Sequence, residues 1–161
     1  MTTVNDVKKR IADVLIDRIP SLNKAYPNDT EDTPPNSDFA PGDLPLIVVW
    51  AGRAQYLNNE NALKFHTEAR TYYIELFVEA TSMSGNRATG EHLLSMDDYF
   101  DLIPQALRST PRLELDGVGL KYIDRVEVQG DIGAEEGGWK SKSYSGTIFS
   151  LLVIRSKHLS G

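Results

Sequence analysis

The sequence predicts an α+β fold: a mainly antiparallel β-sheet with two principal helices packed on one face, in a single domain spanning residues 1–161. Three observations lead there. The stretch Arg70–Ala80 alternates strictly. Tyr72, Ile74, Leu76, Val78 and Ala80 fall on one side, and Thr71, Tyr73, Glu75, Phe77 and Glu79 on the other. Side chains alternate with period two along a strand, so the first side is a core face. Two further stretches, Val4–Ile19 and Gly90–Leu107, each carry one apolar stripe at helical spacing. Short apolar runs between Pro, Gly and Asn clusters supply the remaining strands.

Taken in order, Val4, Val7, Ile11, Val14, Leu15 and Ile19 form the stripe of the first helix. Thr3 caps it with Asp6 three residues on, and Pro20 stops it. Residues 20–43 contain Pro27, Pro34, Pro35 and Pro41 among Asn and Asp, and read as one long mobile loop. Leu44–Ala51 is an apolar strand rich in β-branched residues. Gly52–Ala69 is a connector, with a short helical turn expected at Ala62–His66, and it leads into the Arg70–Ala80 strand, antiparallel to Leu44–Ala51. The second helix shows Leu93, Met96, Phe100, Ile103 and Leu107, with a kink or break expected before Pro104. Leu113 and Leu115 alternate with Glu114 and Asp116, and Asp116-Gly117 is a turn. Leu120–Gln129 places Leu120, Tyr122, Val126 and Val128 on one face, with Asp124 out of pattern. Residues 130–143, with four glycines, read as a mobile acidic hairpin loop, and Tyr144–Arg155 is the last long strand.

With 161 residues, 40% hydrophobic and 25% charged, the chain can bury a core without staples. It has no cysteine, which removes disulfides, thiolate chemistry and cysteine metal sites and fits a reducing cytoplasm. The charged start lacks the apolar centre of a signal peptide, and no apolar run is long enough to span a membrane. A net charge of −6 argues against dedicated nucleic-acid binding. That charge is uneven. Residues 20–43 hold one base, Lys24, against five acids, whereas 139–161 hold four bases (Lys140, Lys142, Arg155, Lys157) and no acid. Opposite charge at two places suits association between copies or with two partners.

Catalytic patterns are missing. His66, His92 and His158 form no paired metal motif. Asp97, Asp98 and Asp101 read as the solvated face of a helix. The Gly130–Gly138 loop carries Asp131, Glu135 and Glu136 where a phosphate cradle needs donors and a following helix. No Gly-x-Ser-x-Gly elbow occurs. No metal, cofactor or catalytic residue is expected. The second face of Arg70–Ala80 is the informative one, since two aromatics alternate with two glutamates. Either another protein meets it, or a loop of the same chain covers Tyr73 and Phe77.

Four stretches, V-K-K-R-I-A-D-V-L, L-P-L-I-V-V-W-A-G, R-T-Y-Y-I-E-L-F-V-E-A and Y-S-G-T-I-F-S-L-L-V, in this element order, resemble the tail terminator (tail completion) proteins of long-tailed bacteriophages. The loop at 20–43 is longer than that family's pattern. The resemblance implies a structural virion protein of the tail and neck, assembled in the host cytoplasm, that is not an enzyme. It implies a homo-oligomeric ring, a hexamer, that caps the tail tube protein, stops its polymerisation and joins the head connector protein. DNA would pass through the ring without specific binding, and no membrane is involved. On this reading Tyr73, Glu75, Phe77 and Glu79 form the subunit interface against bases such as Lys140, Lys142 or Arg155. Phe39, Asp131, Glu135 and Glu136 sit on loops facing a partner or the lumen. The alternatives are another head–tail joining or tail adaptor protein, and a small enzyme or ligand-binding module assembled only by the fold.

Overall fold

The computed structural model describes residues 2–27, 44–57, 65–79, 95–139 and 142–158. The elements are α1 (Val4–Arg18), β1 (Lys24–Pro27), β2 (Leu46–Leu57), β3 (Phe65–Glu79), α2 (Met96–Arg108), β4 (Ile123–Asp131), β5 (Glu135–Trp139) and β6 (Lys142–His158). They form one six-stranded sheet ordered β1-β2-β3-β6-β4, with β5 also paired to β6. Only β1 and β2 run parallel; the other pairs are antiparallel. The fold is the expected α+β domain, with both described helices on one face of a mostly antiparallel sheet.

The core follows from the apolar stripes. Val7, Ile11, Val14 and Leu15 of α1 and Met96, Tyr99, Ile103 and Leu107 of α2 pack with Ile47, Val49, Tyr72, Ile74, Leu76, Val78, Phe149, Leu151 and Val153 of the sheet. Each helix starts in a capping box. The Thr3 hydroxyl accepts from the Asp6 N–H while Asp6 accepts from Thr3, and Ser95 and Asp98 do the same for α2. The second helix passes through Pro104 and continues to Arg108, so the expected break is absent. Its expected start at 90–94 lies outside the described residues.

Several sequence expectations need correction. Residues 20–43 are not wholly loop, because Lys24–Pro27 forms the parallel edge strand β1 against Leu46–Val49. Averaging over the window hid it: the proline and acid density begins only at Pro27, and a proline ending an edge strand costs no ladder bond. The backbone N–H of Asn23 donates to Pro45 O at 3.0 Å, and the Asn23 side chain donates to Leu44 O at 2.7 Å, fixing the entry. Phe39, on residues 28–43, lies outside the described residues. The connector at 52–69 is largely strand, with β2 and β3 pairing out to Leu57 and Thr67 across a bulge between Ala51 and Ala54. Phe65 and His66, expected in a helical turn, belong to β3.

Residues 130–143 are also more regular than predicted. Glu135–Trp139 is β5, paired from Glu135 opposite Gly146 to Trp139 opposite Lys142. Glycine lowers strand propensity but leaves the backbone groups that pair. Between β4 and β5 the chain turns at 132–134, where Asp131 accepts the Gly133 N–H at 2.9 Å and Gly133 takes φ +77. The fourth strand starts at Ile123. Tyr122 has φ 67 and is 41% exposed, so it is not on the core face as expected. A bulge between Ile123 and Arg125 accommodates Asp124, the residue that broke the alternation.

Candidate functional site

The helices cover one side of the sheet. On the other, pairing aligns Leu46, Val48 and Trp50 of β2 with Phe77, Glu75 and Tyr73 of β3. These align in turn with Gly146, Ile148 and Ser150 of β6. One end of this face is closed. Leu46, Val48 and Phe77 are buried together, with Tyr26 and Leu44 packed on them. The Phe77 ring lies over Gly146, where an added Cβ would sit 3.7 Å from it. Phe77 is therefore satisfied within its own chain and does not offer apolar area to a neighbour, which corrects that expectation.

The other end is open. Trp50 is 39% exposed, and Tyr73, Glu75, Ile148 and Ser150 are half-buried. Tyr73 packs its ring on Gly52, beside the β2 bulge, so closely that a Cβ there would come within 2.5 Å of a ring carbon. Burial among these groups pushes the Glu75 carboxyl above the ordinary carboxylate range, and a hydrogen bond from Trp50 offsets part of that rise. The open end thus presents a large ring, a phenol and a carboxylate in fixed positions. Sequence reading found Tyr73 and Glu75 but missed Trp50, although Trp50 shares strand parity with Leu46 and Val48 and so had to face away from the helices.

Arg155 is not part of this surface. It is 1% exposed and lies on the helix side of β6, in alternation with Leu151 and Val153. Its Nη2 donates to both Glu68 carboxylate oxygens at 3.1 Å, and its Nη1 to Thr2 O at 2.8 Å. Arg70 binds the same carboxylate, Nε to Oε1 at 3.1 Å and Nη2 to Oε2 at 3.2 Å, and donates through Nη1 to Gly52 O at 2.8 Å. Burial alone would raise the Glu68 carboxyl, but the bonds from Arg70 and the charge of Arg155 more than offset it and hold it below the usual range. A carboxylate clasped by two guanidiniums is a poor proton acceptor, so the cluster is structural. Burial pushes the neighbouring Tyr72 phenol up to about 12. Alternation gave the available signal: Glu68 and Arg70 share parity with Tyr72, and Arg155 with Val153.

The remaining predicted residues are dispersed. Glu135 is exposed on β5 and Asp131 ends β4. Glu136 pairs with Ser145 in the β5–β6 ladder. The side chains of Glu79, Glu136 and Lys142, and all of Lys140, lie outside the described residues. His66 lies opposite Lys157 and His158 opposite Phe65 in the β3–β6 register, and their side chains, like all of His92, lie outside the described residues. No group of His, Asp and Glu among the described residues is arranged to hold a metal ion, and no described helix is long and apolar enough to cross a membrane. Compared with models of known protein families the sequence matches none, and no curated protein matches it.

Proposed function

We propose that this chain is a structural assembly protein of a bacteriophage tail, a tail terminator whose ring caps the tail tube and provides the joint to the head connector. One observation carries the reading. Among the described residues both helices lie on one side of the sheet, and the open end of its other side holds Trp50, Tyr73 and Glu75 in a partly exposed surface. Partly exposed aromatics beside a charge are the composition of protein contact surfaces. The sequence resemblance to tail terminators supplies the kind of assembly. Repetition of one subunit about a closed axis brings the same pair of surfaces together at every joint, and this face is one of them.

Size-exclusion chromatography with light scattering, followed by negative-stain imaging, tests this. The expected species is a discrete ring of about six subunits, by the resemblance and by closed cyclic symmetry. Added to polymerising tail tube protein, it should decorate tube ends and halt lengthening. A protein that stays monomeric and leaves tube growth unchanged would overturn the reading.

A further inference from the structure

We infer that the open end of the sheet face receives a lysine of the next copy, from the base-rich residues 139–161, set against Glu75 beside Trp50 and Tyr73. This rests on the ring reading and names the chemistry of a joint within it. In the sheet register Val48, Glu75 and Ile148 form one row across β2, β3 and β6, and Trp50, Tyr73 and Ser150 form the next. Residues opposite one another in a ladder share a face. Glu75 is thus a carboxylate between two aliphatic side chains, with two large rings in the adjoining row. Ile132, 54% exposed, adds apolar area beside them, its N–H donating to Ile148 O at 3.2 Å. Glu135 lies opposite Gly146, and so in the row of Phe77, which brings a second carboxylate to the same face.

Neither carboxylate has an ion-pair partner among the described residues. For a solvated acid that would mean little. Glu75, however, is half-buried, and its hydrogen bond comes from the neutral Trp50 side chain. A charge already withdrawn from water gains more from an opposite charge than a solvated one does. An ammonium suits this place, because the carboxylate and the electron-rich rings both attract it. The rows named carry two acids and no base, so the surface complementary to them is basic.

The chain carries such a stretch itself. Residues 139–161 hold four bases and no acid. Arg155 is bound to Glu68, which leaves Lys140, Lys142 and Lys157. Ile148 stands beside Glu75 in the register. Along β6, Lys142 precedes Ile148 by six positions and Lys157 follows it by nine, roughly 20 and 30 Å at the rise of a strand. Both distances exceed the reach of a lysine side chain, so neither residue meets Glu75 of its own chain and the contact forms between copies. Copies of charge −6 repel one another, and joining unlike patches offsets that repulsion at each joint. The two patches differ, so the contact is heterologous, the kind that closes into a ring when the rotation permits.

Zero-length cross-linking tests the joint. Unlabelled and heavy-isotope-labelled protein are mixed, left to exchange subunits and treated with a water-soluble carbodiimide. The reagent activates a carboxylate, and a lysine amine in contact with it forms the amide while the reagent leaves as its urea. Peptide mass spectrometry should find Glu75 or Glu135 joined to Lys140, Lys142 or Lys157, with one labelled and one unlabelled partner among the products. Glu75→Gln, folded by circular dichroism, should lose the Glu75 link and associate roughly tenfold or more weakly, with a smaller loss at high salt. A light-scattering ring in which these links are absent, join other lysines or stay within one copy would overturn this joint and leave the ring reading standing. A Glu75→Gln ring as tight as the native one would do the same. A monomer without the cross-link would overturn both.

Discussion

Glu68 ties two strands together through one buried carboxylate. Its carboxylate links Arg70 on its own strand to Arg155 on β6, and Arg155 in turn holds Thr2 O. Removing one member of a buried ion pair strands the others, at a cost of about 3–5 kcal/mol. Glu68→Gln should lower the unfolding free energy by about that amount, read as a lower urea midpoint, whereas a surface pair such as Arg125–Glu127, 2.8 Å apart but largely exposed, should contribute little. The pH dependence has a definite sign. Because the folded Glu68 carboxyl lies below its ordinary value, its contribution is present above about pH 4.3 and is lost as pH falls through the lowered value. Denaturation series from pH 7 downward should show this acid limb in the native protein and a flatter one in Glu68→Gln. Glu75 works the other way. Its raised carboxyl favours the protonated form in the folded state, so its contribution declines as pH rises through the raised value.

At the level of elements, the sheet and its two helices were readable because their periods are clean. The stripe of α1, the stripe of α2 and the face Tyr72–Ile74–Leu76 each announced one buried side, and they meet in one core. Leu76 has no exposed surface, so Leu76→Ala should cost about 2–5 kcal/mol by leaving a cavity, read as a drop in melting temperature with the same folded circular dichroism at low temperature. Elements held by backbone pairing rather than by side-chain pattern were hidden. Lys24–Pro27 is short and ends in proline, and Glu135–Trp139 is glycine-rich and acidic, so neither alternates in a way that separates strand from loop. Both lie beside a long strand that supplies the ladder. The open sheet face was legible in half. Parity placed Tyr73 and Glu75 outward, but whether an outward residue is covered depends on packing from distant segments, which is why Phe77 and Arg155 were misjudged. One is covered by an apolar cluster of its own chain, and the other sits on the opposite face.

For the whole molecule, the governing feature is that β6, the last strand, is central. It separates β3 from β4 and also carries β5. It pairs with β3 along Phe65–Glu79, and its Arg155 bonds Thr2 across 153 positions of sequence. A fragment ending at Asp131 would keep both helices and four strands of the order but lose the strand that bridges β3 to β4. Such a fragment should show no cooperative thermal transition and should bind a dye specific for exposed apolar surface; a cooperative transition would show that the first part of the chain folds alone.

The central place of β6 also sets the timetable of synthesis. A ribosome delivers this chain from α1 onward, and the early strands emerge with an unfinished edge along β3 and no partner for β4. Contacts of such long sequence separation close slowly. Until translation has passed residue 155 the nascent chain therefore exposes strand edges and an apolar face, the condition in which newly made chains stick to one another and chaperones engage them. The sheet is complete only once β6 has emerged, because neither β4 nor β5 pairs with any other described strand.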